Sequence, residues 1–112
     1  MPSKEELKAS LEKMVRKIDL PKNKKRFESY NKTLQFDFED DGSASCHIVF
    51  KEGAFTIIDG IDENAELTIT TSTETIIAII EGTLSPTRAF MAGKIKAKGP
   101  MPDLMKLQVL MK

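Results

Sequence analysis

The chain has 112 residues, with seventeen Lys plus Arg balanced by seventeen Asp plus Glu. That length suits one domain with its own core, expected over residues 1–112, and the balance excludes a whole-chain field drawing it to nucleic acid or an anionic surface. One cysteine, Cys46, excludes an internal disulfide, and a single histidine without Cys-x-x-Cys excludes an ordinary zinc site. "MPSKEELKAS" has no apolar signal core and no run nears a transmembrane length, so the expected location is cytoplasmic.

Ser3 with Glu6 makes a capping box, and Leu7, Leu11, Met14, Val15 and Ile18 recur at helical spacing up to Pro21, predicting an amphipathic helix. "PKNKKRFESYN" follows as a short second helix or a loop. Its Lys22, Lys24, Lys25 and Arg26 read as a solvated linker rather than a nucleic-acid patch, because no excess of positive charge backs them.

From Thr33 the apolar period becomes two. Leu34, Phe36 and Phe38 alternate with polar residues, and "DDG" at 40–42 reads as a hairpin turn. Ala44, Cys46, Ile48 and Phe50 then point one way, with Ser45, His47 and Lys51 the other. A third strand, "AFTIID", turns inward either Phe55 with Ile57, the preferred pair, or Thr56 with Ile58. After the polar loop "IDENA", Leu67 and Ile69 mark a fourth strand, and the four predict a meander with one wet face.

In "TSTETIIAIIEG", Ser72 or Thr73 caps a helix and Gly82 ends it, with Ile76, Ile77, Ile79 and Ile80 covering an arc of about 160°. In "LSPTRAFMAGKIKAKG", Ser85 is a natural N-cap, Pro86 fits the first helical position and Gly93 supplies the stop. Lys94, Lys96 and Lys98 then form the solvated side of an edge strand, with Ile95 and Ala97 opposite. Pro102 and Asp103 open a final helix whose apolar positions span about 260°, with Gln108 inside that arc. Such a helix needs cover on more than one side, by protein, by a ligand or by a second subunit.

Catalytic chemistry has little to build on. Cys46 and His47 are strand neighbours and point to opposite faces, which separates a nucleophile from its base. "DGIDENAE" lacks the alternating acids of a calcium loop, and the glycines of "GKIKAKG" stop a helix and end a strand rather than cradle phosphate. No catalytic residue, metal or cofactor is expected. What stands out is adaptable apolar material: five internal methionines, four of them after residue 90, a composition suited to flexible apolar guests.

The run "AELTITTSTETIIAIIEGTLSPTRAFMAGKIKAKGPMPDLMKL" resembles the signature half of the sterol carrier protein, or non-specific lipid-transfer, domain family. Gly82, Pro86, Ala89, Phe90, Gly93, Lys94, Lys96, Gly99, Lys106 and Leu107 match in order and spacing. A looser likeness runs back through "LQFDFEDDGSASCHIVFKEG". The resemblance implies an α+β fold: a five-stranded, mixed, mostly antiparallel sheet covered on one face by about four or five helices, with an apolar tunnel between the layers.

The function so implied, for a stand-alone, microbial-type member, is non-catalytic binding and intracellular carriage of a fatty acid, fatty acyl-CoA or related lipid. On the strands the expected lipid-binding residues are Phe36, Ile48, Phe50, Ile57, Leu67 and Ile69. On the helices they are Ile76, Ile80, Phe90, Met91, Met101, Leu104 and Met105, with Gln108 at the ligand head or tunnel mouth. The chain stops at Lys112 without the peroxisomal signal of many eukaryotic members, so the resemblance carries over neither a peroxisomal location nor sterol as the particular ligand. The expected partner is a lipid or fatty-acyl ligand, with no nucleic acid and at most transient membrane contact. A rival reading is a protein-interaction module, or a homodimer, docking on the apolar last helix.

Overall fold

The computed structural model describes residues 2–111. Among these, the elements run α1 (Lys4–Val15), α2 (Pro21–Phe27), β1 (Thr33–Phe38), β2 (Cys46–Lys51), β3 (Ala54–Asp59), β4 (Leu67–Thr71), α3 (Thr73–Ile80), α4 (Pro86–Met91), β5 (Ile95–Lys98) and α5 (Met101–Gln108). Short 3-10 turns occupy Arg16–Asp19, Gly42–Ala44 and Val109–Met111. No helix among the described residues is long and apolar enough to cross a membrane.

Local chemistry sets the helix ends. Ser3 Oγ accepts the Glu6 amide at 3.1 Å while Glu6 returns the bond to the Ser3 amide, closing the capping box. Ser72 caps α3 by accepting from the Thr75 amide at 3.1 Å, and Ser85 caps α4 by accepting from Arg88. Asp40 reinforces the start of α3, accepting from the Thr73 amide at 2.9 Å and its hydroxyl at 2.6 Å. Gly93 follows α4 at φ +74°, a left-handed stop that a side chain would strain.

The sheet order is β3-β2-β1-β4-β5, with β1 and β4 parallel and the other neighbours antiparallel. The mixed, mostly antiparallel sheet is as expected, but the four-stranded meander is not. β4 lies on the far side of β1, pairing Leu34 with Leu67 and Phe36 with Ile69, rather than beside β3. Alternation reports which face a residue takes and is silent on which strand it neighbours. The polar loop makes this crossing: the Gly60 amide donates to Ser45 at 2.9 Å, and the Asp62 amide donates to Gln35 Oε1 at 2.6 Å.

Two further expectations are corrected. "DDG" is not a tight hairpin; Asp41 accepts from the Ser43 amide and hydroxyl, and the 3-10 turn it starts delays β2 to Cys46. Of the two readings of the basic stretch the helix holds and the linker does not: Asn23 donates to the Lys17 carbonyl at 2.9 Å and Phe27 buries behind it, leaving the four cations solvated.

The helices cover one face of the sheet. α1 turns Leu7, Leu11, Met14 and Val15 inward and packs on α3 and the C-terminal turn. On β3, Phe55 and Ile57 pack against the core as expected, opposite Phe50 and Ile48.

Candidate functional site

The register aligns inward side chains into rows across the sheet. One runs Ile57, Ile48, Leu34, Leu67; the next runs Cys46, Phe36, Ile69, Ala97; a third runs Phe38, Thr71, Ile95. Thr71 is the polar member of these rows, and its hydroxyl donates to the Lys94 carbonyl at 2.8 Å. Cys46 offers no nucleophile: burial first, then the nearby Asp59 carboxylate, push its thiol up to about 11. His47 points the other way and its Nδ1 donates to the Gly60 carbonyl at 2.8 Å. No cluster of three His, Cys, Asp or Glu able to hold a metal occurs among the described residues.

The sequence-predicted residues fall into three groups. Phe36, Ile48, Phe50, Leu67, Ile69 and Ile76 are buried; Ile57, Ile80 and Leu104 are half-buried. Phe90, Met91, Met101 and Met105 are 61%, 81%, 65% and 62% exposed, and Gln108 is exposed too. On α5, Met101, Met105 and Gln108 stand at i, i+4 and i+7, one helical stripe. Leu104, Leu107 and Leu110 form the stripe that packs inward. α5 is therefore covered on one side and open on the other, where the apolar arc alone asked for cover on both.

On α4 the inward position is Ala89, fully buried, and its small side chain lets the helix sit close. Phe90 and Met91 follow it and point away. Inward residues that sequence reasoning did not single out for the site include Leu34, Phe38, Ile79, Ala89 and Leu107. The alternation of β1 already carried a signal for the first two, and the spacing from Leu104 carried one for Leu107.

Ala97 marks an opening. It pairs with Ile69 and shares its inward direction, yet it is exposed while Ile69 is 4% exposed. The helix layer thus covers Ile95 on edge strand β5 but leaves Ala97 open, between α4 that precedes the strand and α5 that follows. A gap of ≈ 10 Å³ lies among Leu7, Leu11, Ala44 and Cys46 under Lys4 and Lys8. A surface groove of ≈ 390 Å³ between α1 and α3 is edged by Glu6, Glu74 and Glu81, the wrong chemistry for an apolar guest.

One latch holds α5 to the body. Lys32 Nζ donates to Asp103 Oδ2 at 2.6 Å, with the Asp103 side chain 13% exposed. Lys106 Nζ sits 5.1 Å over the Tyr30 ring, which packs edge-on against Phe27 and Phe50. The Tyr30 hydroxyl is buried without a hydrogen bond. Burial, and then the charge of Asp103 close by, hold its proton well above the usual tyrosine range.

A sheet apolar across its covered face and closed by helices, with an open margin at one edge strand, defines a small α+β domain of the one-sided mixed-sheet class. The model of the SCP-2 sterol transfer family matches residues 11–112. The chain belongs to that family. Over 60 residues it is 37% identical to Sterol carrier protein 2 of Bos taurus, a match covering 54% of this chain and 11% of the bovine protein. The chain spans about a tenth of that relative's length.

Among solved structures, the sterol carrier protein domain 2 of Helicoverpa armigera is 27% identical with a TM-score of 0.72, covering 93% of this chain and 83% of that one. The palmitated sterol carrier protein 2 like 2 of Aedes aegypti shares the fold at 20% identity and a TM-score of 0.67, covering 92% of each chain.

Proposed function

We propose that these 112 residues act as one lipid-binding domain that holds a fatty acid, fatty acyl-CoA or related lipid between sheet and helices and carries it in the cytoplasm, with no bond made or broken. The observation that carries this reading is the exposed, inward-facing Ala97, an opening beside rows of buried apolar side chains. Family membership supports it, and the Aedes aegypti relative is itself described as palmitated.

In this reading the buried Phe36, Ile48, Phe50, Leu67, Ile69 and Ile76, with Ile57, Ile80 and Leu104, contact the acyl chain. Phe90, Met91, Met101, Met105 and Gln108 stand around the entrance. Ligand pockets occupy about 300 Å³ or more, so loading parts α4 and α5 from the sheet at the β5 margin. Each buried CH₂ contributes about 0.8 kcal/mol, so a long acyl chain supplies roughly 10 kcal/mol gross to offset that opening. The methionines adapt the wall to different chains.

Native mass spectrometry of freshly purified protein tests the reading: a monomer carrying a lipid-sized adduct is expected, released by organic extraction. A ligand-free dimer would instead support the interaction module on α5.

A further inference from the structure

The geometry points to a docking surface for an anionic bilayer at the β5 edge, where exposed apolar side chains flank a row of lysines. Of the seven large apolar side chains that stand exposed among the described residues, Phe90, Met91, Met101 and Met105 all fall between residues 90 and 105. The first two end α4 and the others lie on α5, so β5 separates the pairs. Residues 93–100 reach at most about 25 Å when extended, which sets the length of the patch.

The charge is as uneven as the apolar surface. From residue 84 onward the chain carries Arg88, Lys94, Lys96, Lys98, Lys106 and Lys112 against a single carboxylate side chain, Asp103, although the whole chain is neutral. Asp103 is already held by Lys32. Among the described residues, none of Arg88, Lys94, Lys96 or Lys98 has an ion-pair partner. The balancing excess of carboxylates lies in residues 1–83, so a negative surface attracts this edge more than the rest of the chain.

A bilayer fits this patch better than a protein does. The four apolar side chains expose roughly 500 Å² at about 200 Å² each, and the cations beside them have no ion-pair partner among the described residues. Phenylalanine and methionine beside lysines suit a headgroup boundary, where the apolar ends sink and the cations stay with phosphates. Lys96 and Lys98 leave β5 on the uncovered face of the sheet and Ala97 on the covered one, so docking edge-on presents both the cations and the opening to the membrane. The surface goes beyond the carrier reading and is measured independently of it.

The full chain is sedimented with vesicles of phosphatidylcholine alone or with about 30 mol % phosphatidylserine, at about 0.05 M and about 0.5 M salt. Binding is expected only with phosphatidylserine and to fall at least tenfold at the higher salt. At about fivefold per lysine, the K94Q/K96Q/K98Q variant is expected to bind about a hundredfold more weakly with an unchanged circular dichroism spectrum. F90S/M91S is expected to lose about tenfold. Equal binding to both vesicle types, or an unaltered lysine variant, overturns the proposal. So does self-association at micromolar protein that F90S removes. In vesicle-free solution the lysine variant is expected to keep its affinity for a fluorescent fatty acid; docking without any fatty-acid binding would overturn the carrier reading alone.

Discussion

Asp103→Asn tests how much the Lys32–Asp103 pair adds to the leucine packing that holds α5 to the body. The substitution keeps size and shape but removes the charge that Lys32 meets at 2.6 Å. A hydrogen bond between charged groups contributes about 1.5–3 kcal/mol. Lys32 is 37% exposed and can turn to water once released, which places the loss at the low end of that range. Asp103 also lies in the first turn of α5, where a carboxylate adds about 0.3–1 kcal/mol through the helix dipole. The expected total is about 2 kcal/mol, a drop of about 1–1.5 M in the urea midpoint for a slope of about 1.5 kcal/mol per M. Equilibrium unfolding followed by circular dichroism reads it, and a double-mutant cycle with Lys32→Met isolates the pair. A loss under about 0.5 kcal/mol, or a coupling near zero, would refute the latch.

Three other outcomes are expected. Cys46, with its thiol pushed up to about 11 by burial, should resist a thiol reagent at pH 8 and react at once in denaturant; fast native labelling would contradict its placement. Burial acts to raise the Asp40 carboxyl, but its bonds to the Thr73 hydroxyl and amide outweigh that and hold it below the usual range. Its stabilisation is therefore present above the ordinary carboxylate pKa and lost as pH falls through the lowered folded value. Asp40→Asn should cost about 1 kcal/mol at neutral pH and flatten the acid limb of an unfolding-versus-pH curve. Met105→Arg, at a position 62% exposed, should shift stability by no more than about 0.5 kcal/mol while weakening a fluorescent fatty acid severalfold; a large stability loss would mean that Met105 faces inward.

What could be read from sequence follows the range of each signal. Ser3, Ser72, Ser85 and Gly93 act within a turn of themselves, and the structure uses them as caps and stop. The two-residue period marked β5 as an edge strand, but on β3, apolar at both parities, it only favoured Phe55 and Ile57 over Thr56 and Ile58, and packing on the core decides for the first pair. Partnership is not. β4 alternates as a meander strand would, and only the crossing through Gly60 and Asp62 puts it beside β1. On α5 an apolar arc of about 260° contains both the inward leucine stripe and the outward methionine stripe, so periodicity could not choose between them. Leucine packs inward there, while the methionines and Gln108 remain outside. Lys32 and Asp103 are 71 residues apart, a separation at which no local pattern announces a pair.

The most direct test is an isotope-edited NMR experiment with ¹³C-labelled palmitate and the unlabelled full chain. Cross-peaks from the acyl methylenes to the side chains of Phe36, Ile69 and Ile76 are expected, with changes at Ala97 as the chain enters. Cross-peaks confined to the exposed Phe90, Met91, Met101 and Met105, or none at saturating palmitate, would contradict a lipid held between sheet and helices.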